Sequence, residues 1–349
     1  MFKISNHLIC LASALLLTVT AYAQVKPSPS ENFAIVVHGG AGNILKKNMT
    51  PEQEKAQKDK LSEAIKTGYD ILNKGGTSLD AIEAAIKILE DSPLYNAGKG
   101  SVFTNDGKNE MDASIMDGSN LKAGAVAGVR TIKNPISAVR KVMDQSPHVM
   151  MVGRGAEKFA KENGLEIVDT SYFFDENQWQ QLQKIKETEK QLKKADTTGF
   201  ADPLETYLKN QKFGTVGAVA LDKHGNIAAA TSTGGMMNKK FGRVGDSPII
   251  GAGTYANNKT CGVSCTGHGE YFIRSVVAYD IGALMEYKGL SLEQATKEVI
   301  TKLGKMGGEG GIISLDPKGN ISFQFNTSGM YRGYAKKDGE IKVWMYKEE

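Results

Sequence analysis

Runs of apolar residues alternate with amphipathic segments along the chain, and their periods predict both strands and helices. Phe33–His38 is a continuous apolar run that ends in a cluster of glycines, which is typical of a buried strand followed by a turn. Pro51–Lys74 and Leu79–Asp91 have apolar residues at helical spacing, and a Thr-Ser pair stands at the N-terminus of the second helix. Met111–Ile132 alternates apolar and polar residues and therefore predicts strand.

The C-terminal part of the chain shows the same mixture of patterns. Thr215–Leu221 and Asn226–Thr233 predict two strands that are joined by a tight turn. Tyr271–Tyr287 predicts one long apolar helix, and a capping box at Ser291 predicts the start of the next. Gly311–Tyr346 predicts three or four short strands. Strands in pairs and helices in runs predict an α+β fold with layered sheets, and not a series of βαβ units.

A change of composition divides the sequence into two halves. Glu176–Lys212 is polar and rich in Gln, Lys and Glu, and a Pro/Gly-containing stretch lies near its end. Such a segment has little apolar surface to bury, so we predict a solvated helix followed by a flexible linker, over about residues 176–214.

The N-terminus has the pattern of an export signal. Lys3 precedes the apolar run Leu8–Thr20, and Ala21 and Ala23 place small residues where a signal peptidase acts. The alternative is a membrane anchor, but the run is shorter than the about 20 residues that a span requires. We therefore predict that residues 1–23 are removed, that the mature chain begins at Gln24, and that the protein is secreted or periplasmic without a membrane anchor.

Composition and charge exclude several classes of protein. The 43 basic and 39 acidic residues give a net charge of only +4, so the charge indicates no nucleic-acid partner. An apolar content of 40% excludes a disordered chain. Cys261 and Cys265 lie in a predicted strand, too far apart for a disulfide, so we predict that both are free and buried. The chain contains no zinc or calcium motif, which argues against a catalytic metal.

Two common glycine-rich sites do not fit the sequence. The segment His38–Gly42 follows a strand but matches neither a nucleotide-binding fingerprint nor a P-loop. An esterase oxyanion loop would also require a G-x-S-x-G nucleophile elbow, and the chain contains none.

Thr215 follows the predicted linker and begins an apolar strand. A threonine hydroxyl becomes nucleophilic when a base lies beside it, and cleavage between Gly214 and Thr215 would make the threonine's own α-amino group that base. The pKa of such an amine is about 7.7–8.0, which suits proton transfer near neutrality. Spacing alone leaves open the alternative that Thr215 only begins a strand.

Longer motifs provide a resemblance to a known family. Gly214–Asp222, Ala229–Gly235, Gly242–Pro248 and Cys265–Glu270 resemble the plant-type asparaginase/isoaspartyl peptidase family, which belongs to the N-terminal-nucleophile (Ntn) hydrolases. The N-terminal half resembles it through motifs at His38–Gly42, Asn96–Gly98 and Glu110–Ser114, and the similarity covers nearly all of the mature chain. The resemblance implies a four-layer αββα sandwich, an α subunit of residues 24–214 and a β subunit of residues 215–349.

The resemblance also implies roles in the chemical step. Thr215 would be the nucleophile of autocleavage after Gly214 and of substrate hydrolysis, with Thr233 beside it. Thr266 and Gly267 would form the oxyanion hole. Asn96 would help to position the amine of Thr215.

Substrate binding is implied at a second group of residues. Arg243 would bind the α-carboxylate and Asp246 the α-ammonium group, assisted by Gly269 and by the oxyanion residues Thr266 and Gly267. An exposed ion pair between Arg243 and Asp246 is the alternative. His268 lies inside the oxyanion motif, and it either influences the pH profile or only faces solvent.

The resemblance further implies no organic cofactor and a structural sodium ion bound by backbone carbonyls. The candidate ligands in this sequence are Leu89, Glu90, Ser92, Tyr95, Ala97 and Lys99.

The expected activity is release of L-aspartate from β-aspartyl (isoaspartyl) dipeptides and L-asparagine by a dimer of αβ heterodimers. Alternatives are a glycosylasparaginase, a threonine endoprotease of the same fold, and an uncleaved amino-acid-binding protein. The glycines after Thr233 disfavour glycosylasparaginase, and Arg243 with Asp246 favours small charged substrates over proteins.

Overall fold

A computed structural model describes residues 32–194 and 214–348, without the side chains of residues 192–194. The predicted leader, residues 1–23, and residues 195–213 of the predicted linker lie outside the described residues. The export signal and its cleavage after Ala23 therefore stay predictions.

The described chain contains both strands and helices. The strands are β1 (Ala34–Gly42), β2 (Met111–Asp117), β3 (Ala123–Val129), β4 (Met150–Val152), β5 (Val216–Leu221), β6 (Ile227–Thr233), β7 (Thr254–Ala256), β8 (Gly262–Gly267), β9 (Gly310–Leu315), β10 (Ile321–Phe325), β11 (Gly329–Lys336) and β12 (Ile341–Tyr346). The α-helices are α1 (Pro51–Asn73), α2 (Ser78–Glu90), α3 (Pro135–Gln145), α4 (Gly153–Glu162), α5 (Glu176–Lys194), α6 (Gly269–Ser275), α7 (Val277–Lys288) and α8 (Leu292–Lys305).

The strands form two sheets. The larger has the order β12-β11-β1-β5-β6-β2-β3-β4, and the smaller has the order β10-β9-β8-β7. All neighbouring strands are antiparallel except β3 and β4. In the larger sheet β5 lies between β1 and β6, so the strand that begins after Thr215 is buried at the centre of the sheet.

Apolar side chains are buried in two main clusters, which the alternation of side chains along the central strands produces. Ile35 and Ala218 belong to a cluster shared with helices α1, α2 and α3. Val36 and Val219 belong to a second cluster, which includes β8, β9 and the helices α7 and α8. Consecutive residues of β1 and β5 thus supply both clusters, so the face of β5 opposite α2 contacts the smaller sheet.

Most predicted elements are confirmed, and helix caps account for several of their boundaries. Thr50 and Ser291 form capping boxes with Gln53 and Gln294, and the Thr77 side chain accepts a hydrogen bond from the backbone of Asp80. The predicted first strand is longer than expected, because β1 continues through the glycines to Gly42 with a register shift after His38.

The prediction of one helix over Tyr271–Tyr287 is wrong. Val276 adopts a left-handed conformation, with φ 48°, and separates α6 from α7. The first amides of α7 explain the break, because Ala278 and Tyr279 donate to the carbonyl oxygens of Ala252 and Gly251. Tertiary hydrogen bonds therefore replace the helical bonds that a continuous helix would make.

The prediction that the polar segment after residue 176 is solvated is also corrected. One face of α5 is buried, because Leu182 and Ile185 pack with Val102, Phe103 and Met237. Glu189 on the same helix forms an ion pair with Lys240, with Nζ and Oε1 2.6 Å apart. The helix thus packs beside the segment that follows Thr233, and residues 176–194 are not a flexible linker.

The cysteine prediction is confirmed, since Cys261 and Cys265 are buried and free. Over residues 32–194 and 214–348 there is no cluster of three or more His, Cys, Asp or Glu side chains suited to a metal ion. Within the same residues, no helix combines the length and the apolar character needed to cross a bilayer.

Candidate active site

Thr215 and Thr233 are neighbours at the ends of two paired strands. Thr215 immediately precedes β5, Thr233 ends β6, and both residues are buried. The Thr215 hydroxyl donates to Thr233 Oγ1 over 2.9 Å, and Thr233 Oγ1 also accepts the backbone N–H of Gly235 over 2.9 Å. This hydrogen bond fixes the orientation of the Thr215 hydroxyl. Because the hydroxyl is the donor, the lone pairs of its oxygen stay available for nucleophilic attack.

The peptide bond before Thr215 is held by Asn96. The backbone N–H of Asn96 donates to the carbonyl oxygen of Gly214 over 3.1 Å. A Cβ at residue 214 would lie 2.5 Å from Asn96 Cβ, so only glycine fits there. Gly214 does not adopt a left-handed conformation. Close approach to Asn96 therefore explains this glycine.

Strand β8 brings Thr266 and Gly267 to the same region. Thr266 is fully buried, and its Oγ1 has no hydrogen-bond partner within the described part of the chain. Gly267 lines the cavity beside Thr215. The next residue, His268, is buried, and its ring lies 5.7 Å from that of Tyr271. The solvent-facing alternative for His268 is therefore wrong.

Arg243 forms a two-pronged ion pair with Glu270 at the first turn of α6. Its Nε and Nη2 atoms each donate to a carboxylate oxygen of Glu270 over 2.9 Å. The Nη1 atom lies against Gly245, on the wall of the cavity. The guanidinium is thus oriented by one carboxylate and can present its remaining donors to a second.

Asp246 is a buried carboxyl group near this guanidinium. Burial raises its pKa to about 7, against the opposing effect of the Arg243 charge. Its Oδ2 atom has no hydrogen-bond partner in the described residues. Gly269 packs directly against Asp246 and Arg243, where a Cβ would lie 2.9 Å from the Asp246 nitrogen. The alternative of an exposed surface pair is therefore wrong.

These residues surround a small cavity of about 20 Å³, enough for about one water molecule. It is lined by Gly214, Thr215, Thr233, Gly235, Met236, Arg243, Gly245, Asp246, Ser247 and Gly267. A hydroxyl pair, a guanidinium and a buried carboxyl group thus converge within one pocket.

Comparison with known proteins identifies the family of the chain. Residues 31–345 match the family described as asparaginase. The chain belongs to the asparaginase family. It is 50% identical to a putative isoaspartyl peptidase/L-asparaginase of Dictyostelium discoideum, over 88% of this chain and 94% of that protein. It is 49% identical to the isoaspartyl peptidase of Escherichia coli, over 90% of this chain and 96% of that protein. It is 44% identical to the plant-type L-asparaginase of Pyrococcus furiosus, over 87% of this chain and 96% of that protein.

In this asparaginase-family chain, the structure brings most of the predicted site residues together. Two of them are placed differently from the expectation. The side chain of Asn96 donates to the carbonyl oxygen of Gly235 over 2.7 Å and accepts the N–H of Val102, so its backbone, and not its amide group, faces Gly214. Thr266 does not line the cavity itself, although Gly267 beside it does.

A buried lysine and a buried carboxyl group behind the pocket have no predicted role. Lys239 Nζ donates to the carbonyl oxygens of Glu110 and Gly234, over 2.7 and 3.0 Å. Burial lowers the pKa of Lys239 and raises that of Asp112, and the charge of each opposes the shift of the other. Asp112 pairs with Thr233 across the sheet. Both residues lie in or beside motifs already noted, but only the fold brings their charges close enough to affect each other's pKa.

The loop that was predicted to bind sodium closes tightly on itself. Gly98 has φ 51°, and a Cβ there would lie 2.3 Å from the carbonyl oxygen of Glu90. The carbonyl of Tyr95 approaches Gly100 in the same way. Three of the predicted ligand carbonyls, those of Leu89, Tyr95 and Ala97, accept backbone N–H groups of Ser92, Ala97 and Gly100 inside the loop. Sodium binding by this loop therefore stays a prediction.

Proposed function

We propose that this chain is an autocleaving threonine amidohydrolase that releases L-aspartate from β-aspartyl dipeptides and from L-asparagine. The observation that carries the proposal is the 2.9 Å contact between the hydroxyls of Thr215 and Thr233, in a pocket also lined by Arg243 and Asp246. The names of the relatives, isoaspartyl peptidase and L-asparaginase, support it.

Autocleavage begins with attack of Thr215 Oγ1 on the carbonyl carbon of Gly214. The Asn96 N–H bonded to that carbonyl oxygen polarises the bond and stabilises the developing negative charge. The hydroxyl proton passes to the nitrogen of Thr215 as the peptide C–N bond breaks, and an ester forms between Gly214 and the Thr215 oxygen. Water then hydrolyses the ester, which leaves a carboxylate on Gly214 and a free α-amino group on Thr215.

Turnover uses the new amine as the base. It accepts the proton of the Thr215 hydroxyl as the oxygen attacks the β-carbonyl of the substrate, and it returns the proton to the leaving ammonia or amino acid. The backbone of Gly267, which lines the cavity, binds the oxyanion. The Thr266 hydroxyl, which has no partner in the described part of the chain, would assist once cleavage opens the pocket towards it. Water attacks the β-aspartyl ester and releases L-aspartate.

The charges of the pocket select the substrate. Arg243 binds the α-carboxylate and Asp246 binds the α-ammonium group. A substrate that lacks either group leaves a buried charge without a partner, which costs affinity and rate. This selection favours free asparagine and dipeptides with an N-terminal β-linked aspartate.

The higher organisation forms part of the same proposal. The two sheets form the inner layers of an αββα sandwich of the Ntn type, with α1–α3 on one sheet and α7–α8 on the other. The precursor is exported, and the active form is a dimer of αβ heterodimers. A sodium ion held by backbone carbonyls of the predicted ligands (Leu89, Glu90, Ser92, Tyr95, Ala97 and Lys99) would stiffen the loop that carries Asn96. No organic cofactor is required.

The decisive experiment is intact-mass spectrometry of the purified protein with N-terminal sequencing of each fragment. We expect two chains, the smaller beginning at Thr215, and a single uncut chain for Thr215→Ala. The cleaved protein should release aspartate from β-aspartyl-leucine and from L-asparagine.

Two results would contradict the proposal. A wild-type chain that stays uncut on long incubation would indicate an amino-acid-binding protein. A cleaved chain that acts only on glycosylated asparagine would indicate a glycosylasparaginase.

A further inference from the structure

The loop between Thr233 and Arg243 has an unusual backbone conformation. Four of its residues are left-handed, with φ between 58° and 76°: Gly235, Asn238, Phe241 and Gly242. Glycine and asparagine tolerate this conformation, but it is strained for a bulky residue such as Phe241. The Phe241 side chain is fully exposed, so its burial does not offset the strain. Contacts elsewhere must therefore hold residues 235–243, which we call the arginine loop because Arg243 ends it.

Helix α5 provides contacts on one side of the arginine loop. Glu189 is a buried residue of this helix, and its carboxylate accepts hydrogen bonds from Lys240 Nζ over 2.6 Å and from Asn238 Nδ2 over 3.3 Å. Met237 belongs to a buried cluster with apolar side chains of the same helix. The helix therefore holds the loop by both apolar packing and hydrogen bonds to a buried carboxylate.

Asn105 holds the arginine loop at a second place. Its backbone N–H donates to the carbonyl oxygen of Lys239 over 2.8 Å, and its Nδ2 donates to Asn238 Oδ1 over 2.7 Å. The carbonyl oxygen of Asn105 accepts a hydrogen bond from Lys186 of α5 over 3.0 Å. Asn105 and α5 both precede the proposed cleavage site, so in the cleaved enzyme these contacts would join the α subunit to the β subunit.

Lys240 connects Glu189 to the guanidinium of the pocket. The backbone carbonyl of Lys240 accepts the N–H of Arg243 over 3.0 Å, so the residue that Glu189 holds by its side chain also forms the turn that carries Arg243. An exposed surface ion pair would contribute little. Here the side chains of Glu189 and Lys240 are only 10% and 35% exposed, so solvent screens the pair less than it screens an exposed one.

We propose that Glu189 is a positioning residue that acts through Lys240 and holds the arginine loop where Arg243 can bind the α-carboxylate of the substrate. The inference rests on the function proposed above. The α-carboxylate is not part of the bond that breaks, so Arg243 binds the substrate and the transition state alike. Loss of Glu189 should therefore raise KM and change kcat little. In this way the α subunit would contribute to substrate binding by a residue of the β subunit.

The kinetic test compares Glu189→Ala with Glu187→Ala, which removes an exposed carboxylate two residues earlier on the same helix. Only fully cleaved protein is used, as shown by intact mass. For β-aspartyl-leucine we expect Glu189→Ala to raise KM about fivefold or more, with kcat within about twofold of wild type. The inhibition constant of L-aspartate should rise by the same factor, and Glu187→Ala should resemble wild type. Equal KM values in the two variants, or a loss confined to kcat, would contradict the proposal.

A further pair of variants tests the route through Lys240. Lys240→Ala should raise KM by a factor similar to that of Glu189→Ala, and it tests the same contact from the loop if Glu189→Ala does not fold. Because both substitutions remove one contact, the double variant should show about the effect of one of them. KM increases that multiply in the double variant would show that the two residues act independently and would overturn this route.

Hydrogen exchange tests the loop without using activity. In the uncut Thr215→Ala background, peptides that cover residues 236–243 should exchange about tenfold faster in Glu189→Ala than in Glu187→Ala, because the N–H groups of Lys239 and Arg243 are bonded within the loop. Equal exchange in the two proteins would overturn the inference. Faster exchange in a protein that lacks amidase activity would contradict the proposed function but not the hold of Glu189 on the loop, so the two failures are distinguishable.

Discussion

The carboxyl group of Asp246 predicts the pH dependence of the proposed reaction. Because burial raises its pKa to about 7, it loses its charge as the pH falls through 7 and can no longer bind an ammonium group. The free amine of Thr215, with a pKa of about 7.7–8.0, must also be unprotonated to act as the base. Protonation of the Asp246 carboxylate and of the Thr215 amine should therefore both lower kcat/KM as the pH falls.

We expect log kcat/KM for L-asparagine to rise with a slope of about two below pH 7 in wild type, and of about one in Asp246→Asn. The variant should also lose about 10- to 100-fold in kcat/KM near pH 8, since a charge-assisted hydrogen bond is lost. Initial rates from about pH 5 to 8.5 provide both values. Parallel profiles in the two proteins would argue against Asp246 as the ammonium ligand.

Glu90 is a second buried carboxyl group, and its side chain has a structural function that the sequence did not indicate. Its Oε1 accepts the N–H of Ile136 at the start of α3 and the hydroxyl of Ser232, and its Oε2 has no partner among the described residues. Burial raises its pKa to about 8. Only the backbone carbonyl of Glu90 had a predicted role, because no pattern along the chain shows which side chains the fold will enclose.

This raised pKa predicts that stability is lost as the pH rises from about 4.5 to about 8. Between pH 4.5 and 8 the folded protein keeps a proton that the unfolded chain releases, so stability falls as the pH rises through that window. Glu90→Gln keeps both hydrogen bonds and stays neutral. We expect it to raise Tm relative to wild type by several degrees at about pH 8.5 and to change it little at about pH 5. Thermal unfolding at both values measures this, and an equal difference at both would contradict it.

At the scale of elements, local signals in the sequence predicted the helices, whose hydrogen bonds join residues close together in the chain. The Thr-Ser pair before α2, the capping box at Ser291 and the apolar periods predicted the helices α1, α2 and α8. The order of the larger sheet could not be predicted, because β1 lies between β5 and β11 and these pairings join distant parts of the chain. The break at Val276 was missed for the same reason, since Gly251 and Ala252 cause it.

The break predicts a stabilising substitution. Val276 is β-branched, partly exposed and left-handed, a conformation that costs an ordinary residue about 1–2 kcal/mol. Asparagine tolerates this conformation, so Val276→Asn should raise the free energy of unfolding by about 1 kcal/mol at unchanged kcat. Ser275→Asn, one residue earlier within α6, is the matched control and should lie within about 0.5 kcal/mol of wild type. Urea unfolding measures both, and destabilisation by Val276→Asn would show that packing of the valine side chain outweighs the strain.

At the scale of the whole molecule, the motifs predicted which residues would meet at the site. They did not predict how small the pocket is or that Gly214 forms part of its wall. Thr215, Thr233, Arg243, Asp246 and Gly267 all line one cavity, as their motifs implied. That cavity encloses only about 20 Å³, and Gly214 forms part of its wall. Cleavage would free Gly214 to move out of the cavity wall. The precursor and the mature enzyme should therefore differ in their affinity for amino acids as well as in catalysis.

The uncut chain should therefore bind product poorly. Thr215→Ala cannot cleave itself and keeps Gly214 in the wall, so we expect its affinity for L-aspartate to be at least about 100-fold below that of cleaved wild type, because an amino acid cannot enter a space for about one water. Thr215→Ala made as two separate chains, with residue 215 as an N-terminus, is the matched control and should recover most of the affinity. Calorimetric titration compares the three proteins. Equal affinity in the uncut and the two-chain variants would show that the pocket is already open in the precursor, and that cleavage supplies only the amine.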